Sequence, residues 1–164
     1  MAIIGREEIV AGLKQILGEE RVITDEQVLR ESSVDRYRKY EQVMEVYTQP
    51  IPAAVIYVES AQEVSQVLQF ANDNEINVVP RTGHSAIEGG LETALKDSVV
   101  IDGSHMNKVL KVDEYNMQVT GQCGVPLQAL DDMLRERGLT TGHSPQSKPL
   151  AQLGGLVATR SIGQ

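Results

Sequence analysis

A loop rich in glycine and hydroxyl side chains is the first segment of this sequence that could bind a ligand. Residues 80–90 read PRTGHSAIEGG and directly follow a short apolar run. A loop of this composition can turn successive backbone N–H groups inward and form a concavity for an anion. Glycine allows the close approach and the unusual dihedral angles that such a concavity needs. The composition also fits a long surface turn, and the loop contains neither GxGxxG nor GxxxxGK[ST].

A second segment of small residues lies near the end of the sequence. Residues 142–163 contain the pair Gly154-Gly155, which is followed by Leu156, Val157 and Ala158. Paired glycines would let a flat ligand lie against the backbone, and they would equally let a helix pack closely on a sheet. The spacing of the residues leaves both interpretations open.

Strands that could position these two segments are predicted from short apolar runs. The expected strands cover residues 53–58, 76–79, 98–102, 108–113 and 117–121. The first two of these strands and the helix between them form a βαβ-like unit that leads into the first glycine loop. Residues 113–116 are expected to form the hairpin turn between the last two strands.

Helices are predicted where apolar residues recur at helical spacing. The expected helices cover residues 6–18, residues 25–32, the segment after Ser60 and the segment after Pro126. Ser60 is expected to cap its helix through the backbone of Glu63. Residues 35–47 show no clear period and are expected to be a loop or a short irregular element. The acidic pair Asp131-Asp132 is expected to lie on the solvated face of the last helix.

Composition narrows the class of protein. The chain has 164 residues, 41% of them hydrophobic, which suffices for one domain or one piece of a larger one. A formal net charge of -8 argues against a nucleic-acid partner, so any bound anion must be held by local groups. The single cysteine, Cys123, excludes an internal disulfide and indicates a reducing compartment. We therefore expect a cytoplasmic protein with no bound metal and no membrane span.

Four segments together resemble the FAD-linked oxidases of the vanillyl-alcohol oxidase type, also called the PCMH type. Residues 80–90 are similar to that family's pyrophosphate loop, PRGGGTSxxGG, and residues 145–163 to its second flavin segment, PGS…TIGGxxxTxxxG. Residues 99–109 and 113–125 resemble the strands between those segments. Within the family, the second segment looks closest to alkyldihydroxyacetonephosphate synthase, and next to the glycolate oxidase flavin subunit and D-lactate dehydrogenases.

The resemblance implies an α+β fold and FAD as the cofactor. The fold would be the N-terminal portion of a PCMH-type FAD-binding domain, with a small parallel or mixed sheet, a mainly antiparallel sheet and flanking helices. Residues 1–49 would form an N-terminal helical segment, and residues 50–164 an FAD-binding domain truncated at its C-terminus. The parent activity would be that of a flavin-dependent oxidoreductase acting on 2-hydroxy acids. The alternatives are a synthase-like transferase that also uses FAD, and a non-catalytic module.

The resemblance also implies which residues surround the cofactor. The group around the pyrophosphate comprises Pro80, Arg81, Thr82, Gly83, His84, Ser85, Ala86, Gly89 and Gly90. The group around the ribityl chain and the flavin ring comprises Pro145, Gln146, Ser147, Gln152, Leu153, Gly154, Gly155, Thr159, Arg160 and Ser161. Arg81 is expected to supply a cation for the two phosphates. No residue is an obvious catalytic base, and no metal ligand is expected.

Both segments depart in places from the family pattern. Thr82 and His84 stand where glycine is usual, Ser85-Ala86 replaces Thr-Ser, and Gln152 replaces a threonine. Because His84 is one residue short of the spacing found in covalent flavin attachment, we expect it to make a non-covalent contact. The small-molecule substrate is expected to bind a cap domain that this chain lacks. The apolar C-terminal face, formed by Leu153, Leu156, Val157 and Ile162, is expected to be poorly packed, disordered or buried against another chain.

Overall fold

The computed structural model describes residues 2–163. Contacts between residues divide the chain into two units, Met1–Arg81 with Ala86–Asp102, and Thr82–Ser85 with Gly103–Gln164. Met1 is the first residue of the expected segment 1–49 and Gln164 the last of the expected segment 50–164, and both lie outside the described residues. The division at residue 49 remains a prediction.

The first unit is built on a four-stranded sheet. Its strands are β1 (Val22–Ile23), β2 (Ala54–Tyr57), β3 (Val78–Arg81) and β4 (Val99–Asp102). They lie in the order β1-β2-β4-β3, with β2, β4 and β3 parallel and β1 antiparallel to β2. The two strands of the expected βαβ-like unit are therefore not neighbours, because β4 lies between them. The prediction of a strand at 76–79 is shifted, since β3 runs on through Arg81.

The helices of the first unit surround an apolar core. They are α1 (Arg6–Leu17), α2 (Glu26–Glu31), α3 (Lys39–Val43) and α4 (Ala61–Asp73). The helix α4 begins as predicted, with the Ser60 hydroxyl accepting the backbone N–H of Glu63 at 3.2 Å. The short α3 lies in the stretch that was expected to be irregular. The strands β2 and β4 are buried along nearly their whole length, as continuous apolar runs in a parallel sheet should be.

The second unit is built on a hairpin and two helices. Its elements are β5 (Val109–Asp113), β6 (Gln118–Gly121), α5 (Leu127–Arg135) and α6 (Leu153–Ala158). The strands pair antiparallel, and Asp113 accepts the backbone N–H of Asn116 at 3.0 Å in the predicted turn. Val125, Leu130 and Leu134 form the core of this unit. The mixed sheet, the antiparallel hairpin and the flanking helices confirm the α+β class.

The prediction that Asp131 lies on a solvated face is wrong. Its side chain is fully buried, whereas that of Asp132 is exposed. Residues 127, 130, 131 and 134 share the buried face of α5, so the helical period itself places Asp131 inside. The carboxylate accepts hydrogen bonds from Lys148 Nζ at 2.7 Å, from Arg135 Nε at 2.7 Å and from Thr140 Oγ1 at 2.8 Å. These hydrogen bonds hold the pKa of Asp131 well below its usual range, and the one from Lys148 contributes most.

We expect Asp131→Asn to lower the free energy of unfolding by about 3 kcal/mol at neutral pH, because it leaves the mostly buried Lys148 ammonium without its carboxylate. Because the folded-state pKa is depressed, this stabilisation is fully present above the unfolded pKa of about 3.9 and is lost as the pH falls below it. Urea unfolding near pH 7 and about pH 3 should therefore show a smaller difference between the two proteins in acid.

The matched control is Asp132→Asn on the exposed face of the same helix. Asp132 accepts a hydrogen bond from Gln128 Nε2 at 2.8 Å in an exposed pair. Its replacement should change the free energy of unfolding by less than about 0.5 kcal/mol. Equal losses for the two substitutions would contradict the buried network.

Candidate functional site

The first glycine loop and the second glycine segment meet within the second unit, to which residues 82–85 belong. A Cβ atom at Gly83 would collide with the carbonyl oxygen of Leu150. It would also lie 2.9 Å from the backbone nitrogen of Gln152 and 3.1 Å from the Cα of Ala151. Only a residue without a side chain permits this approach of two backbones. The structure thus joins two segments that are far apart in the sequence.

The paired glycines of α6 have different neighbours. A Cβ at Gly154 would lie 2.7 Å from the Cβ of Cys123, and the Gly154 N–H donates to the Cys123 carbonyl at 2.7 Å. A Cβ at Gly155 would lie 3.3 Å from Thr82 Oγ1. Gly154 therefore serves close packing of the helix, which was one of the two interpretations left open. Gly155 faces Thr82 of the first loop, and the interpretation that a flat ligand lies against this backbone stays a prediction.

A closed turn precedes α6 and carries Gln146 and Ser147. The Ser147 carbonyl accepts the N–H groups of Leu150 and Ala151, both at 2.8 Å. The Pro145 carbonyl accepts the N–H of Lys148 at 2.8 Å. Pro145 is buried, Ser147 is half-buried and Gln146 is exposed. The turn is thus held by its own backbone, with the Gln146 side chain at the surface.

The side-chain oxygen of Gln152 is a buried acceptor that lacks a donor. Among the described residues, Gln152 Oε1 has no hydrogen-bond partner. Leaving such an atom unsatisfied costs roughly 1–3 kcal/mol. A ligand with an N–H or O–H group at this position would remove that cost. Gln152 is also the residue that stands where the family usually has threonine, so the site keeps a polar atom there.

The residues after α6 lie beside a histidine of the same unit. Ser161 Oγ is 3.2 Å from His143 Nε2, and Thr159 Oγ1 donates to the Gly155 carbonyl at 2.8 Å. Arg160 adopts the left-handed region with a φ of 49°. Thr159 and Arg160 are exposed. The hydroxyl proton of Thr159 is thus already engaged within the helix.

Arg81, in the first unit, has a buried partner that the sequence did not indicate. Its Nε donates to Asp102 Oδ2 at 2.8 Å, and the two side chains are 6% and 1% exposed. The residues stand opposite each other at the ends of the parallel strands β3 and β4. The guanidinium charge is therefore balanced by a carboxylate, which leaves less of it for an anion.

The end of the first loop is anchored within the first unit. Gly89, with a φ of 81°, donates its N–H to the buried carboxylate of Asp35 at 2.6 Å. The hydroxyl of Tyr47 donates to Glu92 at 2.8 Å. The stretch expected to be irregular thus holds this part of the loop. The Gly89 N–H is thus engaged by the Asp35 carboxylate, and a phosphate would have to compete with that hydrogen bond.

The remaining residues of the first loop vary in exposure. Ser85 and Ala86 are half-buried, and Pro80 and Gly90 are exposed. His84 has a φ of 51°, a conformation that suits the glycine usual in the family. A side chain there carries strain of order 1 kcal/mol. The loop therefore keeps its left-handed turn despite the histidine.

The C-terminal face is only partly packed. Val157 and Ile162 are 77% and 94% exposed, as expected for an uncovered surface. Leu153 and Leu156 are half-buried and line a cavity of about 390 Å³ between the hairpin, α5 and α6.

Within residues 2–163, no group of three or more His, Cys, Asp or Glu side chains could hold a metal ion. In the same range no helix is both long enough and apolar enough to cross a membrane.

The sequence matches one family model and several known proteins. The model describes an FAD binding domain and matches residues 52–164. An Escherichia coli K12 protein described as the uncharacterized FAD-linked oxidoreductase YgcU is 61% identical over 161 residues, which are 98% of this chain and 33% of that protein. Mitochondrial D-lactate dehydrogenase [cytochrome] 1 of Saccharomyces cerevisiae is 36% identical over 114 residues, 68% of this chain and 19% of that protein.

A solved structure of alkyldihydroxyacetonephosphate synthase has the same fold. It superimposes with a TM-score of 0.86 at 28% sequence identity and covers 99% of this chain and 33% of that one. The chain thus spans about a third of the length of the YgcU relative and of this structural neighbour. The expected FAD-binding fold and FAD as the cofactor are confirmed.

We expect Gly83→Ala to lower the free energy of unfolding by about 2 kcal/mol, because the new methyl group meets backbone that cannot rotate away. Gly90→Ala is the matched control in the same loop, since a Cβ there has no atom within 4 Å and φ is not positive. It should change the free energy of unfolding by less than about 0.5 kcal/mol. Chemical denaturation of the two variants measures both values, and similar small losses would contradict the close contact.

Proposed function

The chain belongs to the FAD binding domain family, and from that premise we propose that residues 82–85 hold the pyrophosphate of FAD while residues 145–155 border its flavin part. The observation that supports this proposal is the close approach of Gly83 to residues 150–152, which brings the two segments together. FAD supplies the redox chemistry, and the protein binds and orients it.

Backbone N–H groups suit the phosphate side of this site. The chain carries a formal net charge of -8, so a dianionic group needs local donors. The Arg81 guanidinium adds positive charge at the residue before Thr82, although Asp102 offsets part of it. We propose that Arg81 both fixes the end of β3 and uses its remaining N–H groups for the pyrophosphate. Gly89 and Gly90 would support the turn of the loop.

The flavin side of the site offers an acceptor. FAD carries an imide N–H on its ring and hydroxyl groups on its ribityl chain, and either can donate to Gln152 Oε1. That oxygen is buried and otherwise unpaired, so the residues present fit the group. Ser147 and Ser161 add hydroxyl groups on the same unit.

The chain spans 33% of the length of the YgcU relative, so the activity of a whole protein is a matter of proposal. We propose that this protein is a cytoplasmic flavin-dependent oxidoreductase acting on a 2-hydroxy acid, supported by the similarity to a protein named D-lactate dehydrogenase. The substrate would bind a cap domain, and the apolar C-terminal face would be covered there or in an oligomer.

Alkyl transfer is the second candidate, favoured by the match to the synthase structure. Bleaching of the flavin absorbance by a 2-hydroxy acid without oxygen would separate the two.

Titration with FAD and with riboflavin tests the phosphate assignment, because riboflavin lacks the pyrophosphate. We expect Arg81→Ala to weaken FAD binding by about 1.5–3 kcal/mol, the range for a charge-assisted hydrogen bond, and to leave riboflavin binding nearly unchanged. Arg81→Lys should restore part of the loss, since it keeps the charge without the planar fork. Added salt should shrink the difference if the site is open to solvent.

Protein-held flavin absorbs at about 370 and 450 nm, so binding can be followed by its absorption spectrum. Circular dichroism first establishes that each variant is folded. Equal FAD affinities for wild type, Arg81→Ala and Arg81→Lys would contradict the role of Arg81 at the phosphate. Equal affinities of the wild type for FAD and riboflavin would contradict a pyrophosphate site altogether.

A further inference from the structure

The two oxygens of the buried Asp131 carboxylate bind opposite ends of one loop. Oδ1 accepts from Thr140 Oγ1 at 2.8 Å, and from the backbone N–H and the hydroxyl of Thr141 at 2.9 and 3.1 Å. Oδ2 accepts from Lys148 Nζ and from Arg135 Nε, both at 2.7 Å. One carboxylate thus sets the spacing between residues 140–141 and residue 148. The segment between them contains Pro145, Gln146 and Ser147.

Lys148 is held at both its backbone and its side chain. Its N–H donates to the Pro145 carbonyl at 2.8 Å, and its side chain is only 13% exposed. Its ammonium group is therefore committed to Asp131 and is not available as a phosphate ligand. Arg135, whose side chain is 64% exposed, supplies a second cation on the solvent side. With two cations around it, the Asp131 charge does not repel a nearby anion.

The turn that contains Lys148 leads directly into the contact with Gly83. The Ser147 carbonyl holds the N–H groups of Leu150 and Ala151, and residues 150–152 form the surface that Gly83 approaches. A shift of Lys148 would move this surface. The side chain that orders the turn thus belongs to a different element, α5, which lies outside the segments 82–85 and 145–155 assigned to the cofactor.

We propose that Asp131 is a positioning residue for FAD binding, which orders the segment 145–152 through Lys148 and Thr141. The inference rests on the proposed function, because it assigns a role in the same site. Removing the carboxylate charge leaves the Lys148 ammonium buried without a partner, so the side chain leaves its position and the turn loosens. Affinity for FAD then falls although no direct ligand has been changed.

The experiment compares the apo forms of Asp131→Asn, Lys148→Met, the double variant and Asp132→Asn. FAD dissociation constants are measured by titration at a temperature where each protein is folded, and melting temperatures are measured separately. We expect about a ten-fold weaker affinity for Asp131→Asn, comparable to the loss of one hydrogen bond, and no change for Asp132→Asn. The double variant should bind more tightly than Asp131→Asn, because it no longer buries an unpaired ammonium. Visible circular dichroism of the bound flavin should change in Asp131→Asn alone among the single aspartate variants.

Each outcome decides the proposal. Wild-type affinity in Asp131→Asn together with a lowered melting temperature would show that Asp131 only stabilises the fold, and would overturn the inference. Failure of the wild type to bind FAD would overturn the proposed function and the inference together, so the two failures are distinguishable. If Asp131→Asn does not fold, the variants Lys148→Met and Thr141→Val test the inference instead. Each removes one side-chain hydrogen bond to Asp131 and keeps the carboxylate. Both should weaken FAD binding about three-fold, and unchanged affinity in both would overturn the inference.

Discussion

The backbone of residue 83 runs so close to residues 150–152 that a single methyl group does not fit between them. This contact joins the loop after β3 to the segment before α6, and it requires glycine at one position only. Other features follow from it. The turn at 145–151 must be rigid enough to present its backbone, and α6 must begin close to that contact, which Gly154 allows by packing on Cys123.

Charge is arranged so that the acidic chain can still bind an anion. The buried cations near the two segments are balanced internally, Arg81 by Asp102 and Lys148 by Asp131. Backbone N–H groups need no carboxylate to balance them, because they carry no net charge. They are also fixed by the turns that contain them. On the proposed assignment, binding of the FAD pyrophosphate would depend on the geometry of the loop more than on the number of basic residues.

Local patterns in the sequence were enough to predict most of the elements but not β1 or α3, and the family resemblance pointed to both segments of the proposed site. The cap at Ser60 and the turn at residues 113–116 depend on neighbours three residues apart, which composition reveals. The pairings of Arg81 with Asp102 and of Gly89 with Asp35 join residues that are distant in the chain, so no local period shows them. Asp131 differs, because its place on the apolar face of α5 was readable from the helical spacing, and its charge suggested solvent instead.

Hydrogen–deuterium exchange, measured peptide by peptide with and without saturating FAD, tests the central claim most directly. The account predicts slower exchange on adding FAD in the peptides that contain residues 82–85 and 145–155. Exchange in α4, which lies in the other unit, should stay unchanged and serves as the internal reference. Bound FAD without protection of either segment would contradict the claim that these two glycine segments form the cofactor site.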